Sequence, residues 1–153
     1  MDFKREVGAL ISVHGHILQL FFGTAGRVDF PWEVGWEFHK RNPGIIFGLI
    51  HSHPPGMTEL SSTDKSTLKA WTLGMNPFPV RMGVVTRAEP WQVPSLNVYY
   101  AYLQAKTEWQ KGRERNFEIM IEKIGVGIND KSVNWIDLIW ELSCREVENE
   151  KSL

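Results

Sequence analysis

The order of apolar and polar positions along the chain predicts alternating short strands and helices. EVGALISV, residues 6–13, is a nearly continuous apolar run and reads as a buried strand. His14-Gly15-His16 reads as a turn, and ILQLFFG (17–23) as the returning arm of a hairpin. A polar stretch leads to Pro31, which opens a predicted helix, since proline is tolerated in the first helical turn. Trp32 and Trp36 lie four apart and share a face of that helix. Asn42-Pro43-Gly44 stops it. GIIFGLIHSH (44–53) is a short apolar run between breakers, the pattern of a central strand. DKSTLKAWTLG (64–74) suits a helix ending at Gly74, and VRMGVVT (80–86) a further strand. Pro90 and Pro94 interrupt the chain before NVYYAYLQ (97–104), which alternates like a strand, and FEIMIEKIG (117–125) also reads as strand. VNWIDLIWELSCREVENEK (133–151) predicts a terminal helix with Trp135, Leu138 and Leu142 on its apolar stripe. Strands interspersed with helices imply a layered α/β (α+β) domain.

Composition narrows the function classes. The chain has 153 residues, enough for one domain with a core of its own. Hydrophobic residues make up 42% and charged residues 23%, ordinary for a soluble domain. A net charge of −1 offers no electrostatic argument for nucleic acid or an anionic membrane. No apolar run is long enough to span a bilayer, and the first residues do not resemble a signal peptide, so a cytoplasmic protein is expected. The single cysteine, Cys144, excludes an internal disulfide and a multi-cysteine zinc cluster. Most of the seven tryptophans are expected in the core, with one or two available to line a groove.

The chemistry concentrates in HSHPPGMTELSSTD, residues 51–64. Residues i and i+2 of a strand share a face, with Cα atoms roughly 6–7 Å apart, so His51 and His53 can aim two imidazoles at one point. Pro54-Pro55-Gly56 then ends the strand and turns the chain. The return to Asp64 is short enough to bring a carboxylate to the same point. Two nitrogens and one oxygen leave a fourth zinc position open, the pattern of catalytic rather than structural zinc. A blander reading stands beside this one. Ser61-x-x-Asp64 resembles a capping box with aspartate in place of the usual Glu or Gln, and an H-x-H pair alone is a weak signal. A second H-x-H pair, His14 and His16, has no carboxylate at the same spacing and belongs to the predicted turn. His39 and Cys144 are read as structural.

Taken together, His51-Ser52-His53-Pro54, six intervening residues, Ser61 and Asp64 resemble the JAMM (JAB, MPN+) motif H-[ST]-H-P-x6-S-x-x-D at every defined position. The resemblance implies the JAMM fold, a curved mixed sheet flanked by helices and related to cytidine deaminases. The deaminase signatures H-x-E and P-C-x-x-C are themselves absent. It implies one catalytic zinc ion on His51, His53 and Asp64. It also implies a glutamate at the start of the first core strand. Glu6, in Glu6-Val7-Gly8-Ala9-Leu10, fits that place. Glu33 and Glu37 are the rivals, both on the predicted helix before the histidine strand. Only five residues precede Glu6, so the helix that often comes before this strand is expected to be missing or very short, with the C-terminal helix in its packing place.

The roles implied are those of a metallopeptidase. Glu6 would act as general base and Ser61 as oxyanion donor, while Ser52, on the opposite face, would be buried and structural. Catalytic members of the family cleave peptide or isopeptide bonds after the tail of ubiquitin or a ubiquitin-like protein. The expected partner is therefore such a protein or its conjugate. Two further readings stay open: a peptidase acting on phage-tail, cell-wall or sulfur-carrier peptides, and a non-catalytic scaffold of the same fold. Nothing after about residue 95 carries a diagnostic motif.

Overall fold

The computed structural model describes residues 2–105 and 117–146. Among them the elements run β1 (Val7–Ser12), β2 (Ile17–Phe22), α1 (Trp32–Arg41), β3 (Ile46–Ser52), α2 (Ser62–Met75), β4 (Arg81–Thr86), β5 (Ser95–Ala105), β6 (Phe117–Ile128) and α3 (Trp135–Cys144). The six strands form one mixed sheet in the order β2-β1-β3-β4-β5-β6. Only β3 and β4 pair in parallel, and their connection passes through α2. A parallel pair needs such a crossover, whereas the other neighbours pair antiparallel.

Strand alternation separates two cores. On β1, Val7, Ala9 and Ile11 face the cluster that contains Ile136, Ile139 and Trp140 of α3. Leu10 faces the other cluster, with Leu68, Trp71 and Met75 of α2. A sheet covered on both faces buries its central strands completely, which is why β1 and β3 read as apolar runs rather than as alternation. Helices α1 and α2 interlock through aromatic rings set against glycines. A Cβ on Gly35 would lie 2.2 Å from the Trp71 ring, and one on Gly74 would lie 2.4 Å from Trp32.

Three expectations shift. Gly74 does not end its helix, which runs one residue further to Met75; the glycine is there to admit Trp32. Pro31 stands just before the first residue of α1 rather than inside it. The buried face of α3 is Trp135, Ile136, Ile139, Trp140, Ser143 and Cys144, while Leu138 and Leu142 are only half-buried. The helix is apolar around most of its circumference, so packing against β1, β3 and β4 selects the face. The last residues of the predicted helix, 147–151, lie outside the described residues.

Candidate metal centre

The site sits at the C-terminal end of β3. Antiparallel pairing of β1 with β3 aligns Gly8 with His51 and so brings the N-terminal end of β1 beside the histidines. Glu6 is two residues before Gly8 and shares its face. It is 7% exposed, and its backbone is clamped to the β2 end: its N–H donates to Thr24 O (2.7 Å) and its carbonyl accepts from Gly23 N (2.9 Å). Just upstream, the Lys4 and Arg5 N–H groups donate to Ser143 O in the last turn of α3.

His51 and His53 are buried, and their Nε2 atoms lie 3.0 Å apart. Asp64 Oδ2 is 3.2 Å from His51 Nε2 and 3.0 Å from His53 Nε2. The turn after β3 is held by Thr86 Oγ1–H donating to Pro54 O and by Gly56 N–H donating to Arg87 O. The capping box at the start of α2 does two jobs. Ser61 Oγ accepts from Asp64 N–H (3.0 Å), and Asp64 Oδ2 accepts from Ser61 N–H (2.9 Å). The cap thus fixes the carboxylate that faces the histidines, so a capping role for Asp64 is compatible with its place beside them.

Ser52, between the histidines on the opposite face, is wholly buried; its Oγ accepts from Val7 N–H (2.9 Å) and lies 2.6 Å from Ser143 Oγ. Glu33 and Glu37 are exposed on α1, where Glu37 pairs with Lys40, and neither joins the cluster. His14 and His16 are exposed in the β1–β2 turn, and His39 Nδ1 accepts from Gly44 N–H. Cys144 is buried against α3's core. None of the described tryptophans lines the cleft.

The electrostatics suit a cation. Burial lowers the His51 pKa and keeps the ring neutral. Burial would lower His53 too, but the hydrogen bond and charge of Asp64, with Met57 O and Glu6, raise it. Asp64 is held far below the usual carboxylate range: the push of burial is outweighed by its hydrogen bonds with both histidines and Ser61 N–H. Burial pushes Glu6 up to about 7, against the charge of His53 and with that of Asp64. His53 Nδ1 lies 3.0 Å from Met57 O, so a neutral ring donates there and turns its Nε2 lone pair inward. His51 Nδ1 has no partner among the described residues.

Glu6, His51 and His53 offer ligand atoms within 4.8 Å of one another, a buried group that could hold a metal ion. Asp64 lies closer to both histidines than that limit and makes a second, tighter triad with them. A cleft of about 170 Å³ opens over the group, lined by Glu6, His53, Ser61, Asp64 and the Gly26–Val28 loop.

Residues of β5 that belong to no sequence motif support the loop between His53 and Ser61. Asn97 Nδ2, on β5, donates to Thr58 O (3.1 Å), and the single proton of Tyr99 Oη, also on β5, goes to Glu59 Oε2 (2.8 Å), with Thr58 O 3.1 Å from the same oxygen. Asn97 Oδ1 accepts from Gly127 N–H of β6. A buried polar residue inside the alternating NVYYAYLQ run was the available signal. Comparison with protein-family models and with curated proteins finds no match.

Proposed function

We propose that the chain is a zinc-dependent isopeptidase of JAMM type, which cleaves the amide after the C-terminal tail of a ubiquitin-like protein. The observation that carries this reading is the triad of His51 Nε2, His53 Nε2 and Asp64 Oδ2, spaced 3.0–3.2 Å, with buried Glu6 beside it. Zinc bonds of about 2.0–2.1 Å in tetrahedral geometry set ligand atoms about 3.3 Å apart, close to this triangle. With the ring protons on Nδ1, both Nε2 atoms and Asp64 Oδ2 would each turn a lone pair to one point, and a cation there would take the place of the ring protons that now face the carboxylate. Glu6 lies further out, which leaves it free as a base rather than a ligand. The mixed sheet with helices on both faces is compatible with a JAMM-like fold.

A zinc ion held there would supply Lewis acidity and lower the pKa of its water toward 7. Glu6, poised near neutrality, accepts the proton of the attacking water and delivers it to the leaving amine. Ser61 uses its Oγ lone pairs for the Asp64 N–H and keeps its own O–H to donate to the developing oxyanion; loss of such a donor costs about 10²–10³ in rate. Ser61 is exposed at the cleft mouth, where a substrate carbonyl can reach it. With both histidines as metal ligands, neither would be free to activate a serine nucleophile.

The test combines metal analysis with cleavage of fusions to ubiquitin-like tails, with and without a chelator. One zinc per chain, lost in the His51→Ala/His53→Ala variant, and chelator-sensitive cleavage are expected. Near-stoichiometric zinc in that double variant would overturn the metal assignment, and zinc without cleavage of any tail would overturn the isopeptidase assignment.

A further inference from the structure

A second groove is lined in part by residues next in sequence to those of the metal centre. It has a volume of about 360 Å³, at the lower end of ligand-pocket sizes of about 300–1,000 Å³. Leu60, Tyr99 and Ile121 supply an apolar floor, while Lys65 and Lys69 of α2 stand on one side and Glu59 and Lys123 on the other. Leu60 immediately precedes Ser61, and Lys65 immediately follows Asp64, so the groove is continuous along the chain with the metal cleft.

Its charge is lopsided. Among the described residues that line it, three lysines against one glutamate leave two positive charges, on a chain whose overall net charge is −1. The glutamate is already engaged: Glu59 pairs with Lys123 and hydrogen-bonds to Tyr99. Lys65 and Lys69 are exposed, four apart on one helix face, with no ion-pair partner among the described residues. The far wall is β6, the last strand of the sheet, whose outer backbone groups have no sheet partner among the described residues. A strand edge without a partner beside a partly apolar groove is a form in which proteins take up extended peptides.

We infer that this groove binds an acidic, otherwise apolar extended segment of the substrate protein, on one side of the amide presented to the metal centre. The inference rests on the isopeptidase reading for its substrate, but its charge preference is measurable without turnover. Apolar side chains fill the floor between Leu60 and Ile121, and carboxylates meet Lys65 and Lys69. Exposed charges of this kind govern selection and encounter more than affinity, and they are screened by salt.

The experiment uses the zinc-loaded Glu6→Gln protein and fluorescein-labelled peptides of alternating Leu-Glu, Leu-Ser and Leu-Lys, followed by fluorescence anisotropy. The Leu-Glu peptide is expected to bind about three- to tenfold more tightly than Leu-Ser, with Leu-Lys weakest and the gap narrowing at high salt. Adding Lys69→Glu, and then Lys65→Glu with it, should erase that preference while zinc content stays unchanged. Equal binding of the three peptides, or a preference that survives both lysine changes, overturns the groove assignment. Tail fusions cleaved equally well by wild type and the lysine variants would overturn the groove and leave the isopeptidase reading intact. Conversely, a charge preference without cleavage of any tail would overturn only the latter.

Discussion

Ser52→Ala isolates the device that holds the general base beside the metal ligands. Ser52 Oγ is wholly buried and is the acceptor for Val7 N–H, one residue after Glu6. Alanine leaves that N–H buried without a partner, at a cost of about 1–3 kcal/mol. Ser143→Ala is the internal control. It removes a hydroxyl from the same pair but leaves Ser52 Oγ in place for Val7, so it should cost only about 1 kcal/mol. A loss of about 2 kcal/mol corresponds to a fall in Tm of about 4–8 °C at this chain length. The kinetic consequence is larger than the stability loss suggests. A shift of about 1 Å in Glu6 costs up to about 10² in kcat, whereas His51, His53 and Asp64 keep their own supports and the metal should stay bound. Chemical denaturation, zinc content and kcat on a cleavable tail fusion together check this. Ser52→Ala no more costly than Ser143→Ala, with unchanged kcat, would refute the idea that Ser52 latches β1 to β3.

Glu6→Gln should retain zinc and lose about 10²–10⁴ in turnover, measured by metal analysis and kcat. Full activity in that variant would show that Glu6 is not the base. Tyr99→Phe and Asn97→Ala should loosen the loop that carries Met57 O behind His53 and weaken zinc in chelator competition by less than the roughly 10-fold or more expected for loss of a direct partner of a ligand; unchanged zinc affinity in both would show the loop to be held otherwise. In the metal-free protein, Asp64 has a folded pKa below its ordinary 3.8, so its contribution to stability is present above that pH and is lost as pH falls below it. Urea unfolding across the acid range should therefore show a shallower acid slope for Asp64→Asn than for wild type, and identical slopes would contradict the sign.

Most strands and helices could be read from period and punctuation, because apolar alternation and proline or glycine breaks act over a few residues. FEIMIEKIG joined β6 as expected. The face of α3 could not be read, since a helix apolar on most sides has no single stripe until a sheet is laid against it. Gly74 reads as a helix stop in the sequence because the Trp32 ring that requires it lies 42 residues away (74 − 32). Asn97, Tyr99 and Lys123 met the histidine loop only through the pairing of β5 with β4 and β6.

The three ligand candidates lie within fourteen residues, where strand alternation, a Pro-Pro-Gly turn and a helix cap are all local geometry, so His51, His53 and Asp64 were placed together by sequence alone. Glu6 lies 45 residues before His51 (51 − 6), and no local rule brings it there. Its position was decided by the register that pairs Gly8 with His51, by the Ser52–Val7 bond and by the α3 carbonyl that holds Lys4 and Arg5. The same long-range pairing shaped the lysine groove. Sequence specifies what the chain does with its near neighbours; the burial that raises the Glu6 pKa, and the company it keeps, exist only after distant strands have paired.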